Sequence, residues 1–190
     1  MHDQEQGRLL IALARDAIAE RLEQPRQALP ELGRHDWLRA PAAVFVTLTQ
    51  SGALRGCIGS LEAHRSLLDD VRANACAAAF KDPRFPPLTA RELPGTRVEV
   101  SILTPAEPIR FRDEAELLAQ LRPGIDGLIL EHGWHRGTFL PQVWEQLPEP
   151  GDFVAHLKRK AGLPADFWAD DLRVSRYQVE KFKEGDHVPA

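Results

Sequence analysis

The segment Ala43–Ser60 reads AVFVTLTQSGALRGCIGS. It is β-rich on both sides of Gln50-Ser51-Gly52, a composition suited to the turn of a hairpin, so it predicts two strands joined there. Within it, Leu54-Arg55-Gly56-Cys57-Ile58-Gly59 puts a thiol late in the second strand or just beyond it, beside an arginine and between two glycines.

On the N-terminal side of this hairpin, Leu10, Leu13, Ala14, Ala17, Ile18 and Leu22 recur along one broad side, while Arg8, Arg15, Asp16 and Glu23 fall opposite. That spacing predicts an amphipathic helix over 5–23, which Pro25 and Pro30 forbid from continuing. On the C-terminal side, Ser66 followed by Asp69 resembles a capping box, and Leu67, Val71, Ala75 and Ala78 form the buried stripe of a helix to about Phe80. The next stretch, KDPRFPPLT at 81–89, is stiffened by three prolines and holds Asp82 and Arg84 in place at low entropic cost. Val98, Val100 and Ile102 then alternate with Glu99 and Ser101, the pattern of a strand with one apolar face.

Beyond it the sequence predicts a short helix near 113–121 and a second hairpin in GLILEHGWHRGTFL, turning near Gly133. A short helix opened by Pro141 follows, then a helix over 152–161 capped by Asp152 and ended by Gly162, then a last strand in LRVSRYQVEKF. Strands and helices mix without a regular strand, crossover helix, strand alternation. The expected class is therefore α+β, with a mixed, largely antiparallel sheet and flanking helices.

The 190 residues carry 43% hydrophobic and 27% charged side chains, the composition of an ordinary folded protein. Lys and Arg total 24 against 28 Asp and Glu, a formal net charge of −4, and both signs are scattered. Nucleic acid is a poor partner for such a surface. The compact basic run Lys158-Arg159-Lys160 reads as a charged helix end near a favourable macrodipole. The opening MHDQEQGRLL lacks a signal-peptide pattern and no apolar run approaches membrane-spanning length, so a cytoplasmic protein without a membrane partner is expected. Two cysteines, Cys57 and Cys76, support neither a disulfide framework nor a thiolate zinc site.

Cys57 admits two readings. Flanking glycines let a ligand approach and Arg55 favours the thiolate, which makes a nucleophile. Alternatively the cysteine is a small buried filler in a tight bend. Cys76, among alanines in mid-helix, reads as structural. A nucleophile needs a proton acceptor, and His156 is the leading histidine, one turn before Lys160 on the same side of a helix. Asp82, Glu99 and Glu131 are carboxylates at strand or loop positions suited to the same task. Arg55, Arg84 and Arg136 supply guanidinium groups for a carboxylate or phosphate, though each also reads as an ordinary surface ion pair. His132 and His135 bracket a turn without further ligands, so no metal is expected. Phosphate-cradling glycine spacings are absent, and no cofactor is implied.

These segments resemble the AMMECR domain family, AmmeMemoRadiSam system protein A. The likeness runs from about Leu9 to Phe182 through LRGCIG at 54–59, DPRFPPLT at 82–89, VEVSILTP at 98–105, PGIDGLIL at 123–130, RGTFLPQV at 136–143 and HLKRKAGLP at 156–164. It implies one domain over 1–184 built as two lobes with a cleft between them; the tail at 185–190 is expected to be loose as a chain terminus. Carried over residue by residue, it implies Cys57 and His156 as catalytic candidates. Arg55, Gly56, Gly59, Asp82, Arg84, Phe85, Ser101, Arg136 and Lys160 are the implied substrate-binding candidates.

It further implies a substrate-handling component or enzyme of unsettled activity, with a small anionic molecule as ligand and with a Memo-like protein and a radical S-adenosylmethionine enzyme as partners. The alternative is a non-catalytic binding or adaptor module in which Cys57 is structural. Many relatives read HLCxKAG where this chain has Lys158, so the resemblance leaves single-thiol chemistry at Cys57.

Overall fold

The computed structural model of the chain describes residues 2–26 and 28–185. The predicted tail, apart from Gly185, lies outside the described residues. The chain divides into two compact units: one runs to Leu103 and takes up the chain again from Glu180, and the other spans Thr104–Val179. The class is α+β, with two antiparallel sheets.

In the first unit, helix α1 spans Gln4–Arg21, starting under a capping box between Asp3 and Gln6. Strands β1 (Pro41–Gln50) and β2 (Ala53–Gly59) form the predicted hairpin. Its two-residue loop, Ser51-Gly52, has positive φ at both positions, as the tightest hairpin turn that follows the strand twist demands. Strand β3 (Arg65–Ser66) leads into helix α2 (Leu67–Phe80), whose first turn is capped by the Ser66 hydroxyl accepting from the Asp69 N–H. Strand β4 (Thr96–Leu103) lies on the other side of β1.

Helices α1 and α2 pack on one face of this sheet. Leu10, Leu13 and Ile18 of α1 and Val71, Ala75 and Ala78 of α2 share a buried core with Val44, Val46, Leu48, Val98 and Val100. The strand period of two sends the alternate residues Phe45, Thr47, Glu99 and Ser101 to the opposite face.

In the second unit, β5 (Glu107–Pro108), β6 (Gly127–His132), β7 (His135–Phe139) and β8 (Arg173–Tyr177) form a sheet in the order β5-β8-β6-β7. Helices α3 (Glu114–Gln120) and α4 (Pro150–Lys160) complete its core, where Trp144 stacks on Phe153 at 3.8 Å between ring centroids. Lys158 of α4 is fully buried and donates to the Glu114 carboxylate at 2.6 Å.

Three predicted bounds are corrected. Helix α1 stops at Arg21, because Leu22 caps it and Glu23 takes a positive φ. Helix α4 starts at Pro150 under Glu149, where proline's fixed φ supplies the first turn, and Asp152 lies inside the helix. The predicted last strand is two: β8 ends at Tyr177, Gln178 bonds to Thr104 through both its N–H and its carbonyl, and β9 (Val179–Lys183) joins the first unit's sheet beside β4.

Candidate functional site

The position of Cys57 is set by an irregularity in its hairpin. From the turn, Gln50 pairs with Ala53 and Thr49 with Leu54, but Leu48 then pairs with Gly56, and Arg55 is left without a partner on β1. Such a bulge inserts one residue and moves everything beyond it by one place. An unbroken ladder sets Cys57 opposite Val46, a fully buried core residue. The bulge sets it opposite Thr47. With a side-chain period of two, a one-residue shift exchanges faces, so the thiol leaves the core side for the polar side. There it is half-buried, and the Thr47 hydroxyl donates to its Sγ at 3.3 Å.

The same face carries the row Cys57, Thr47, Glu99 across three strands, since Thr47 is the register partner of both others. Glu99 receives the Ser101 hydroxyl at 3.4 Å and pairs with Lys183 Nζ at 3.4 Å. Cys76 differs: it sits in α2 with Sγ directed at the Ala17 carbonyl, and burial pushes its thiol pKa up.

The stiff loop after α2 fastens the edge of β2. Asp82, 4% exposed, accepts from the Cys57 N–H at 2.9 Å and from Arg84 through N at 3.1 Å, Nε at 3.0 Å and Nη2 at 2.7 Å. Arg84 Nη2 also reaches the Cys57 carbonyl at 3.4 Å. Both free backbone groups of Cys57 on this edge are thus occupied, which closes the strand to a further neighbour there. The Arg84 hydrogen bonds hold the Asp82 carboxyl far below the usual carboxylate range. In return the Asp82 hydrogen bond raises the Arg84 pKa against desolvation, and the Asp82 charge adds to the rise.

Arg55 serves a different partner. Its Nε and Nη2 grip Glu92 at 2.9 and 3.3 Å, and Glu92 also receives the Thr89 N–H and hydroxyl, both at 2.8 Å. The Arg55 bond, followed by the Thr89 N–H, lowers the Glu92 pKa to about 2. Phe85 lies between the two arginines, 5.9 Å from Arg55 Cζ and 5.6 Å from Arg84 Cζ. Among the described residues Arg55 and the sulfur share no bonding partner, so the arginine two positions before Cys57 is engaged with Glu92.

The flanking glycines make room for the protein itself. A Cβ on Gly56 falls 2.1 Å from the Ala78 carbonyl oxygen of α2, and one on Gly59 falls 2.2 Å from the Phe45 ring. The sequence suggests ligand approach at these positions, and the structure accounts for both by packing.

Arg136, His156 and Lys160 belong to the second unit. Arg136 stands opposite Glu131 in register, 3.5 Å away. His156 is exposed on α4, its Nδ1 2.8 Å from the Asp152 carbonyl of its own helix, and Lys160 Nζ lies 5.0 Å from the Phe139 ring centroid. Thr47, Glu92 and Lys183 were not singled out from sequence. The Thr89-x-x-Glu92 spacing carries a signal for Glu92, since it is the reciprocal pattern of a capping box. No comparable signal marks the other two.

The class is an α+β protein whose first unit presents a single thiol on a polar sheet face, braced by a proline-stiffened Asp-Arg loop. A family model, AMMECR1, matches residues 11–182, and the chain belongs to that family. Among its relatives is a Methanothermobacter thermautotrophicus protein, 42% identical over 182 residues and covered 95% on both sides. Protein MJ0810 of Methanocaldococcus jannaschii is 44% identical over 133 residues, 69% of this chain and 66% of the relative. A crystal structure of the uncharacterized protein PH0010 from Pyrococcus horikoshii superposes with a TM-score of 0.79 at 37% identity, over 96% of this chain and 93% of that one. No helix among the described residues is long and apolar enough to cross a membrane.

Proposed function

We propose that the chain is a substrate-handling protein of its family in which Cys57 acts as nucleophile or covalent tether. The supporting observation is the bulge, which holds the sulfur half-buried on a polar face beside Thr47. Arg84, more than half exposed and with Nη2 3.4 Å from the Cys57 carbonyl, is the group that meets the substrate. Glu99 on the same face is the proton acceptor. The resemblance supports the remaining part: action with a Memo-like protein and a radical S-adenosylmethionine enzyme.

Iodoacetamide labelling of the folded chain between about pH 5 and about pH 9, read by peptide mass, tests this. Cys57 is expected to label well before Cys76, whose thiol burial disfavours as thiolate. A Cys57 that stays unlabelled while the chain is folded sinks the proposal.

One observation favours a second reading, a binding module without chemistry: the space beside both flanking glycines is filled by the protein's own atoms. It expects Cys57→Ala and Cys57→Ser to keep function in a host lacking the chain, and Arg84→Ala to lose it.

A further inference from the structure

Helix α1 and the segment 28–37 line a cavity of about 480 Å³ within the first unit. That volume falls inside the roughly 300–1,000 Å³ usual for small-molecule sites. Its lining residues Glu5, Arg8 and Pro30 are exposed, so a solute reaches it. The floor is apolar: Leu9, 8% exposed, and the half-buried Leu29 and Trp37 line the cavity while packing into the unit's core. His35, also on the cavity, meets the Trp37 ring edge-on at 6.1 Å between centroids. Aromatic rings favour such edge and offset contacts, so the Trp37 indole offers a partner to a planar side chain.

The charges on the α1 wall decide what carries that side chain. Glu5 and Arg8 are three residues apart on the helix, a spacing that sets Cβ atoms about 5–6 Å from each other and allows an ion pair. Neither side chain has a hydrogen-bond or ion-pair partner among the described residues. Asp3 differs, since its carboxylate accepts the Gln6 N–H as the helix cap. A ligand of one charge meets one of Glu5 and Arg8 and is repelled by the other. An uncharged ligand covers both and returns nothing for the hydration it displaces. A zwitterion answers both, and an α-amino acid carries its two charges on one carbon, which leaves the side chain for the apolar floor.

We propose that this cavity binds a free α-amino acid with an aromatic side chain: Arg8 takes its carboxylate, Glu5 its ammonium, and Leu9, Leu29 and Trp37 its ring. The inference goes beyond the thiol reading and does not draw on Cys57.

The test is a titration of the full chain, nitrogen-15 labelled, with L-phenylalanine, 2-phenylethylamine and 3-phenylpropanoate, of which the last two each lack one of the charges. The Trp37 indole N–H signal is followed by NMR and assigned by its loss in Trp37→Phe. L-Phenylalanine is expected to shift that signal and to bind at least about tenfold more tightly than either analogue. Arg8→Gln and Glu5→Gln are each expected to remove most of that margin. A Trp37 signal unmoved by L-phenylalanine up to about 10 mM overturns the proposal, as does an analogue that binds as tightly. A folded Arg8→Gln or Glu5→Gln chain that keeps the full margin overturns the pairing assigned to that residue. Should either variant not fold, the three ligands on the unaltered chain still decide. The thiol reading fails separately: an unreactive Cys57 together with a Trp37 shift sinks that reading alone.

Discussion

Replacing Asp82 by Asn tests whether the proline-stiffened loop fixes the thiol-bearing strand. The carboxylate accepts four hydrogen bonds, one from the Cys57 N–H and three from Arg84. An amide keeps one acceptor oxygen and turns a donor towards donors, so one of the two partners goes unserved. Arg84 is 54% exposed and finds water instead, so its share is discounted. The Cys57 N–H exchanges a bond to a charged acceptor, ~1.5–3 kcal/mol, for a neutral one of ~0.5–1.5 kcal/mol at best. The difference, about 1 to 2 kcal/mol, is a rise of about 5- to 30-fold in the open population at that amide.

Hydrogen exchange of the backbone amides reads this population residue by residue. It suits the question better than a denaturant midpoint, because a chain with two compact units has no assured two-state transition. The Val44 N–H, held by the buried Asp70 carboxylate at 2.9 Å, is the internal control and should keep its protection. A folded Asp82→Asn chain whose Cys57 amide exchanges within about twofold of the original refutes the bracing role. Equal acceleration at Val44 refutes its being local.

Other substitutions probe the packing and the ion pairs. Gly56→Ala places a Cβ against the Ala78 backbone and should cost about 1–3 kcal/mol, lowering the melting temperature, whereas Gly95→Ala, with open space around it, should not. The Glu92 pKa is depressed from 4.5 to about 2, so its contribution to stability is complete above about 4.5 and is lost as pH falls towards about 2. Glu92→Gln should flatten that acid limb, followed by the first unit's amide signals. Lys158→Met replaces a fully buried amine with an apolar chain of similar length, and the 44% exposed Glu114 returns to water. Its melting temperature should hold or rise, since a buried pair exchanged for good packing is commonly neutral or stabilising.

The elements legible in sequence are those in which periodicity, caps and breakers agree. Helix α2 shows its cap at Ser66 and its stripe from Leu67 to Ala78, and the first hairpin shows its turn at Ser51-Gly52. Strands β3 and β5 have two residues each, too few to display a period. The division of the last strand at Gln178 comes from bonds to Thr104, more than seventy positions away, and β8 and β9 have no local break between them. For α4, aspartate's preference as a cap pointed to Asp152, while proline's backbone geometry governed the start.

The site was legible in its residue types and illegible in its register. Cys57, Asp82, Arg84 and Phe85 do meet around one strand edge, but nothing in LRGCIG announces that Arg55 is skipped by the ladder. Three contacts far apart in sequence supply the reason. Gly56 must face α2 closely, because the Ala78 carbonyl occupies the place of a Cβ. Arg55 must reach Glu92. The Cys57 N–H must point outward to Asp82, away from β1. A regular ladder sets Gly56 opposite Thr47 on the polar face and the thiol opposite Val46 in the core, and it satisfies none of the three together. The face on which the Cys57 thiol lies is therefore a matter of register, and the glycine, the arginine and the distant aspartate jointly set it.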